Sequence, residues 1–365
     1  MSQDDRYSRQ VALGPVGEAG QARLGRGRAV IVGCGALGSA VAELLTRAGV
    51  GHLVLVDRDV VEWSNLQRQM LFDEADAREA VPKAEAARQK LPAINRAVQI
   101  DAHVSDFTAV NAADICRGAE VLIDGTDNFE TRYLINDLAV REGVPYVYGG
   151  AVGTTGSHLV ILPPPPPPEG GVRPGWISAG GAGPCLRCVW PEPPTPGVEP
   201  TCETAGVLGP VTTLIASLEA VAAMKVLLGD FAAIDRALWQ IDLWSNQSRR
   251  VDLTGAADPN CPCCAARVFD WLQGHRGSST VALCGRDAVQ VTPERGVADA
   301  VDFEAVAARL APHGQVHYNR FTLRGSVTIA GGTHELTLFP DGRAMIHGTT
   351  EPTLARTIYS QFIGL

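Results

Sequence analysis

The stretch Arg28-Ala-Val-Ile-Val-Gly-Cys-Gly-Ala-Leu-Gly38 decides the fold of this 365-residue chain. Ala29 to Val32 is an apolar, β-branched run that reads as a buried parallel strand. Gly33, Gly35 and Gly38 follow in G-x-G-x-x-G spacing, and Ala36 to Ala48 carries apolar residues at helical spacing. Gly49 is placed to end that helix. His52 to Val56 reads as a second strand with Asp57 at its tip. Three glycines alone mark only a tight strand-to-helix turn. With both strands and Asp57 at the right distance, the unit reads as a nucleotide site. The glycines let the chain approach a phosphate, and the helix start offers free N–H groups. Asp57 can accept hydrogen bonds from ribose hydroxyls.

A dehydrogenase begins the same way, but the residues after Asp57 fit one poorly. Ser64-Asn-Leu-Gln-Arg-Gln69 places polar donors just past the second strand, where Asn65, Gln67, Arg68 and Gln69 can reach a triphosphate. Pro82-Lys83 then opens a helix. Only Lys83, Lys90 and Lys225 occur among 31 basic residues, so Lys83 is either a phosphate clamp or one of a few survivors of an arginine preference. Val121 to Ile123 reads as a strand, with Asp124, Asp127 and Asn128 beyond its carboxyl end, where ligands of open α/β sheets bind. Asp127 there suits a Mg²⁺ ligand, an N-cap of the helix starting near Phe129, or both.

Arg6-Tyr-Ser-Arg-Gln10, the glycine turn, Asp57, Ser64 to Gln69, Lys83 and Thr126-Asp-Asn128 together resemble the ThiF/MoeB/HesA family, bacterial relatives of ubiquitin-activating enzymes. The resemblance covers about residues 5 to 265. It implies an ATP-dependent adenylyltransferase acting on the C-terminal carboxylate of a ubiquitin-like sulfur-carrier protein ending in Gly-Gly, with pyrophosphate released. By that resemblance Gly33, Gly35, Ala36, Leu37 and Gly38 cradle the nucleotide. Asp57 holds the ribose, with Asp59 beside it. Ser64, Asn65, Leu66, Gln67, Arg68 and Gln69, together with Lys83, line the phosphates. Asp127 holds Mg²⁺, with Asn128 adjacent. Arg9 corresponds to an arginine that reaches into a partner subunit's site, which implies a homodimer. A sulfur donor, such as a cysteine desulfurase or a sulfurtransferase, is a further partner.

The nine cysteines supply a second argument. An odd count without a leader-like segment argues against a secreted disulfide scaffold. Cys185-Leu-Arg-Cys188 and Cys261-Pro-Cys-Cys264 are two C-x-x-C pairs, which suit a closed, structural Zn²⁺ site of four thiolates; two unrelated turns or a redox pair are the alternatives. Cys263 is an extra thiol inside the second pair. Cys202, after the proline-rich Pro191 to Pro200 and before a helix over 207–228, matches a family cysteine of thioester or persulfide chemistry, against a plain loop cysteine.

The expected fold class is α/β. A Rossmann-like, doubly wound, mostly parallel sheet is joined to an N-terminal helical arm and a small C-terminal α+β domain. The expected divisions are an arm over 1–27, the ATP-binding domain with its zinc site over 28–264, and the α+β domain over 265–365. Strands near 144–152, 157–162, 239–242 and 249–253 extend the sheet. In the tail, strands are expected at 279–283, 289–292, 317–323, 326–329, 334–339 and 344–347, with helices at 302–310 and 352–362. The six prolines from Pro163 to Pro168 read as a solvated loop insertion, and Cys284-Gly-Arg-Asp287 is not a rhodanese anion loop.

A net charge of −9 disfavours nucleic acid as a partner, and no segment reads as a membrane span. The chain is expected to be cytoplasmic. Two other function classes stay open, a nicotinamide-dependent oxidoreductase and a non-catalytic nucleotide-binding scaffold. Within the family, a member that modifies tRNA threonylcarbamoyladenosine is an alternative.

Overall fold

A computed structural model describes residues 6–163, 183–194, 204–276, 282–283, 288–292, 301–329 and 332–363. Cys202, the prolines after Pro163 and Cys284-Gly-Arg-Asp287 lie outside the described residues. The chain divides into two compact units. The first is built mainly from residues 1–78, 82–194 and 205–277, and the second mainly from 278–365.

The first unit runs α1 (Ser8–Val11), α2 (Gly17–Leu24), β1 (Arg28–Val32), α3 (Ala36–Ala48), β2 (His52–Val56), α4 (Glu74–Glu79), α5 (Lys83–Ile94), β3 (Gln99–His103) and α6 (Ala112–Ile115). It continues through β4 (Val121–Asp124), α7 (Phe129–Glu142), β5 (Tyr146–Val152), β6 (Thr155–Ile161), α8 (Leu186–Val189), α9 (Gly209–Leu228), β7 (Ala237–Asp242) and β8 (Gln247–Asp252). The sheet order is β3-β2-β1-β4-β5-β6-β7-β8. The strands from β3 through β5 run parallel, while β6, β7 and β8 are antiparallel. The N-terminal helical arm holds two short helices. Gly49 ends α3 in the left-handed conformation, φ 79°, as its position predicts.

Helix α9 is long and apolar enough to cross a membrane by length and composition, a property the sequence reading passed over. Its packing accounts for that composition: it lies against α2, α3, β4, β5 and β6. Glycines on the strands let it come close. A Cβ at Gly156 would strike Ile215, and one at Gly149 would strike the carboxyl of Glu219. Glu219 is fully buried, and neither of its carboxyl oxygens has a hydrogen-bond partner among the described residues. Burial pushes its pKa well up, which favours the neutral acid inside the core.

The second unit contains β9 (Ala282–Leu283), β10 (Ala288–Val291), α10 (Phe303–Leu310), β11 (Val316–Tyr318), β12 (Leu323–Ile329), β13 (Gly332–Leu338), β14 (Ala344–His347) and α11 (Pro352–Ile358). They form an antiparallel sheet in the order β11-β12-β13-β14-β10-β9, and the helices close one face over Val289, Leu323, Val327, Leu336 and Ile346. The segment 317–323, read as one strand, is instead a hairpin. The Asn319 side chain accepts N–H bonds from Phe321 (2.8 Å) and Thr322 (3.0 Å) and turns the chain between β11 and β12. The last helix passes into a π turn over Tyr359–Ile363.

Back in the first unit, the sulfurs of Cys185, Cys188, Cys261 and Cys264 lie within 4.8 Å of one another. Separations of 3.9 Å (Cys185–Cys188), 3.6 Å (Cys185–Cys261) and 3.4 Å (Cys188–Cys264) approach the ~3.8 Å that tetrahedral Zn–S bonds of ~2.3 Å require. The group can therefore bind a structural metal such as zinc. Cys263 is not one of the four, and its sulfur accepts from Asn136 Nδ2 at 3.3 Å. Helix α7 lashes both pairs. Asn136 Oδ1 accepts from Leu186 N (2.8 Å), and Asp137 Oδ2 accepts from Trp271 N (3.0 Å).

Two outcomes follow from this packing. Cys185→Ser is expected to lower zinc content and melting temperature together, because metal binding and folding are coupled here. A zinc-free variant with an unchanged melting temperature would contradict a structural metal. Gly38→Ala drives a Cβ into the Gly33 carbonyl and is expected to cost at least about 2 kcal/mol in denaturant unfolding. A loss of a few tenths would mean that the turn yields freely.

Candidate nucleotide site

The site is built on a contact between two turns. Gly33 has φ +91°, and a Cβ on it would meet the backbone of Gly125, after β4. A Cβ on Gly125 would in turn meet Gly33 O and Gly38 Cα. Without side chains, the β1–α3 turn and the β4–α7 turn lie backbone to backbone. Gly35 is the N-cap of α3, so the N–H groups of Ala36, Leu37 and Gly38 face outward at the positive end of the helix. Ser39 Oγ donates to Gly35 O at 2.6 Å and fixes the first turn.

Asp57 braces this loop. One carboxylate oxygen accepts from Cys34 N (2.6 Å) and the other from Asp59 N (2.7 Å). Burial pushes the Asp57 carboxyl up from the ordinary aspartate value, and the Lys83 cation opposes that rise. Lys83 is almost fully buried at the start of α5. Its Nζ donates to Asp59 Oδ2 at 3.1 Å, and its backbone N–H donates to Asp59 O at 2.9 Å. Asp59 is thus the residue that aims Lys83. Arg58 NH1 pairs with Asp106 Oδ1 at 2.9 Å, on the loop after β3.

The 64–69 segment is a tight turn. Asn65 is buried, and its Oδ1 accepts from Glu62 N at 3.1 Å, which makes it a structural anchor. Arg68 NH1 donates to Ser64 O at 2.8 Å. Gln67 is exposed and Leu66 half-buried, while Gln69 is buried with its Oε1 unpaired among the described residues. A Cβ on Gly209, at the start of α9, would touch Gln67 O and Arg68, so the segment rests on that helix.

At β4 the structure separates two roles that the sequence left joined. Asn128, and not Asp127, caps α7: its Oδ1 accepts from Thr131 N at 2.9 Å. Asp127 is exposed at the rim with its carboxylate outside the cap. The sequence reading missed Arg132. This buried guanidinium pairs with Asp124 Oδ2 (3.2 Å) and donates to Thr126 O (2.9 Å) and Gly149 O (3.2 Å), lying over the rings of Phe129 and Tyr148. Asp124 also accepts from Thr126 Oγ1 (2.6 Å) and Tyr146 OH (2.7 Å). Burial raises the Asp124 carboxyl, with Arg132 opposing. The available signal for Arg132 was the acid itself, since a charged carboxylate ending an apolar strand calls for a cation nearby.

Arg9 stands apart. It is exposed on α1, whose neighbours Tyr7 and Gln10 pack on Ala48 and Gly49 at the C-terminal end of α3 and on Asn95 at the end of α5. That is about 18 Å of helix from the glycine turn.

The comparisons agree with this geometry. Residues 7–263 match the ThiF family. The chain is 38% identical over 360 residues to the sulfur carrier protein ThiS adenylyltransferase of Bacillus subtilis, covering 98% of this chain and 99% of that protein. It is 40% identical over 260 residues to the sulfur carrier protein adenylyltransferase of Thermus thermophilus, covering 71% and 90%. Among solved structures, E. coli MccB with ATP superposes with a TM-score of 0.56 at 21% identity, covering 71% of this chain and 74% of that one; this likeness concerns the fold. On these grounds the chain belongs to the ThiF family.

Proposed function

We propose that this chain is an ATP-dependent adenylyltransferase that activates the C-terminal glycine carboxylate of a ubiquitin-like sulfur-carrier protein, as the step before thiocarboxylate formation. The observation that carries the reading is the near full-length identity to a ThiS adenylyltransferase, second domain included. A carboxylate oxygen attacks the α-phosphorus of ATP, the bond to the bridging oxygen breaks, and pyrophosphate leaves with that electron pair. An acyl adenylate remains.

Anion approaches anion in this step, so positioning and charge neutralisation carry the catalysis. The Ala36–Gly38 N–H groups hold phosphate oxygens, and Asp57 holds the ribose. Lys83, aimed by Asp59, meets phosphate with its cation, and Arg68 adds a second. Asp127 supplies a carboxylate for Mg²⁺, which neutralises phosphate charge when bound. Asn65, Asn128 and Gln69 shape the walls.

Arg9 lies at the far end of α3 from its own chain's glycine turn, which favours a homodimer in which it serves the partner's site. Exposed Trp63, Met70 and Val221 offer apolar surface for that contact. Cys202 is assigned to sulfur transfer, with a cysteine desulfurase or sulfurtransferase as donor, and the cytoplasm is the proposed compartment.

ATP–pyrophosphate exchange with Mg²⁺, run against purified carriers ending in Gly-Gly, tests the reading. Exchange is expected with one carrier only, and none with any carrier would move the assignment to tRNA modification or a scaffold. Lys83→Ala and Asp127→Ala should each lower exchange by roughly 100-fold or more, with the fold and zinc content retained. A variant within tenfold of the parent would lose its assigned role. Cys202→Ala should adenylate normally and fail in overall sulfur transfer; unimpaired transfer would make Cys202 a plain loop residue.

A further inference from the structure

The sheet order lays the site out along a line. The glycine turn at β1 and Asp127 beyond β4 take one side, Asp57 sits at the tip of β2, and β3 is outermost. In a βαβ site the phosphates rest on the helix start and the ribose on the acid. The base must therefore extend past β2, over the carboxyl end of β3.

Arg58 stands in that path. Its NH1 is 2.9 Å from Asp106 Oδ1, on the loop after β3, and its Nε is 3.7 Å from Asp59 Oδ1. Asp57 N bonds to His103 O at 3.1 Å, so the ends of β2 and β3 are stitched together beneath it. The two carboxylates flank the guanidinium at Nε and NH1, and 22% of the side chain stays exposed. A guanidinium is planar and stacks on aromatic faces, which an ammonium does not do. Fixed in advance by its acids, it loses little freedom when a ring settles on it.

We propose that Arg58 is the platform on which the purine base of ATP stacks, with Asp106 and Asp59 holding its plane. The inference rests on the adenylyltransferase reading. Arg58 does not touch the reacting phosphorus, so its contribution lies in nucleotide affinity and not in turnover.

The test is the MgATP dissociation constant of the full-length, zinc-loaded protein by calorimetry, with kcat and KM for exchange, in the parent and three variants. Arg58→Ala should weaken ATP binding and raise KM about tenfold, the scale of one lost stacking partner, with kcat within about twofold. Arg58→Phe should recover most of the affinity, and Arg58→Lys should not. Parental affinity in Arg58→Ala or Arg58→Lys overturns the proposal, as does a Phe variant as weak as the Ala variant. Melting temperatures identify a misfolded variant, and the Phe and Lys proteins decide if the Ala protein fails. A parent protein that neither binds ATP nor exchanges pyrophosphate would instead overturn the function reading itself, and this inference with it.

Discussion

The approach of Gly33 and Gly38 to Gly125 is the constraint on which the rest of the site depends. Two turns that leave neighbouring parallel strands can meet backbone to backbone only where neither carries a side chain. That contact sets the phosphate-facing start of α3 beside the turn that presents Asp127. The acids on either side then serve different ends. Asp57 braces the first turn through two backbone N–H groups, and Asp124 braces the second through Thr126 and Tyr146.

Helix α7 links this site to the cysteine group. Its first turn is capped by Asn128 and carries Arg132, which ties Thr126 and Gly149 to Asp124. Two turns further on, Asn136 and Asp137 hold the backbone of the two Cys-bearing segments. A structural metal there would fix the far half of the same helix whose near end shapes the site. Removing that constraint frees segments distant in sequence, where loop closure is most costly.

Two acids, one half-buried and one fully buried, show how far environment decides chemical role. Asp59, next to Lys83 and Arg58, is paired and directs a cation toward the site. Glu219, set against Gly149 inside the core, has no hydrogen-bond partner for its carboxyl among the described residues, and burial there favours its neutral form. Both are carboxyls, and only the neighbours differ.

Much of the site was legible in the chain itself, because its parts are local. The glycine turn, Asp57, the Pro82-Lys83 helix start and the paired C-x-x-C motifs are short patterns in which spacing alone dictates geometry. The tail was legible as strands and helices, though a polar strand continuing into Asn319 hid a turn made by that side chain. Sequence could not reveal contacts between positions far apart. Gly125 as the partner of Gly33, Arg132 as the cation of Asp124, Asp59 as the guide of Lys83 and Arg58 bridging to Asp106 each join separate elements. Capping by Asn128 in place of Asp127 turned on the backbone angle at a single residue. Local pattern thus determined the fold class and which chemistry the chain carries. Only tertiary packing decided which acid faces which cation, since burial and partnership exist only once the strands lie side by side.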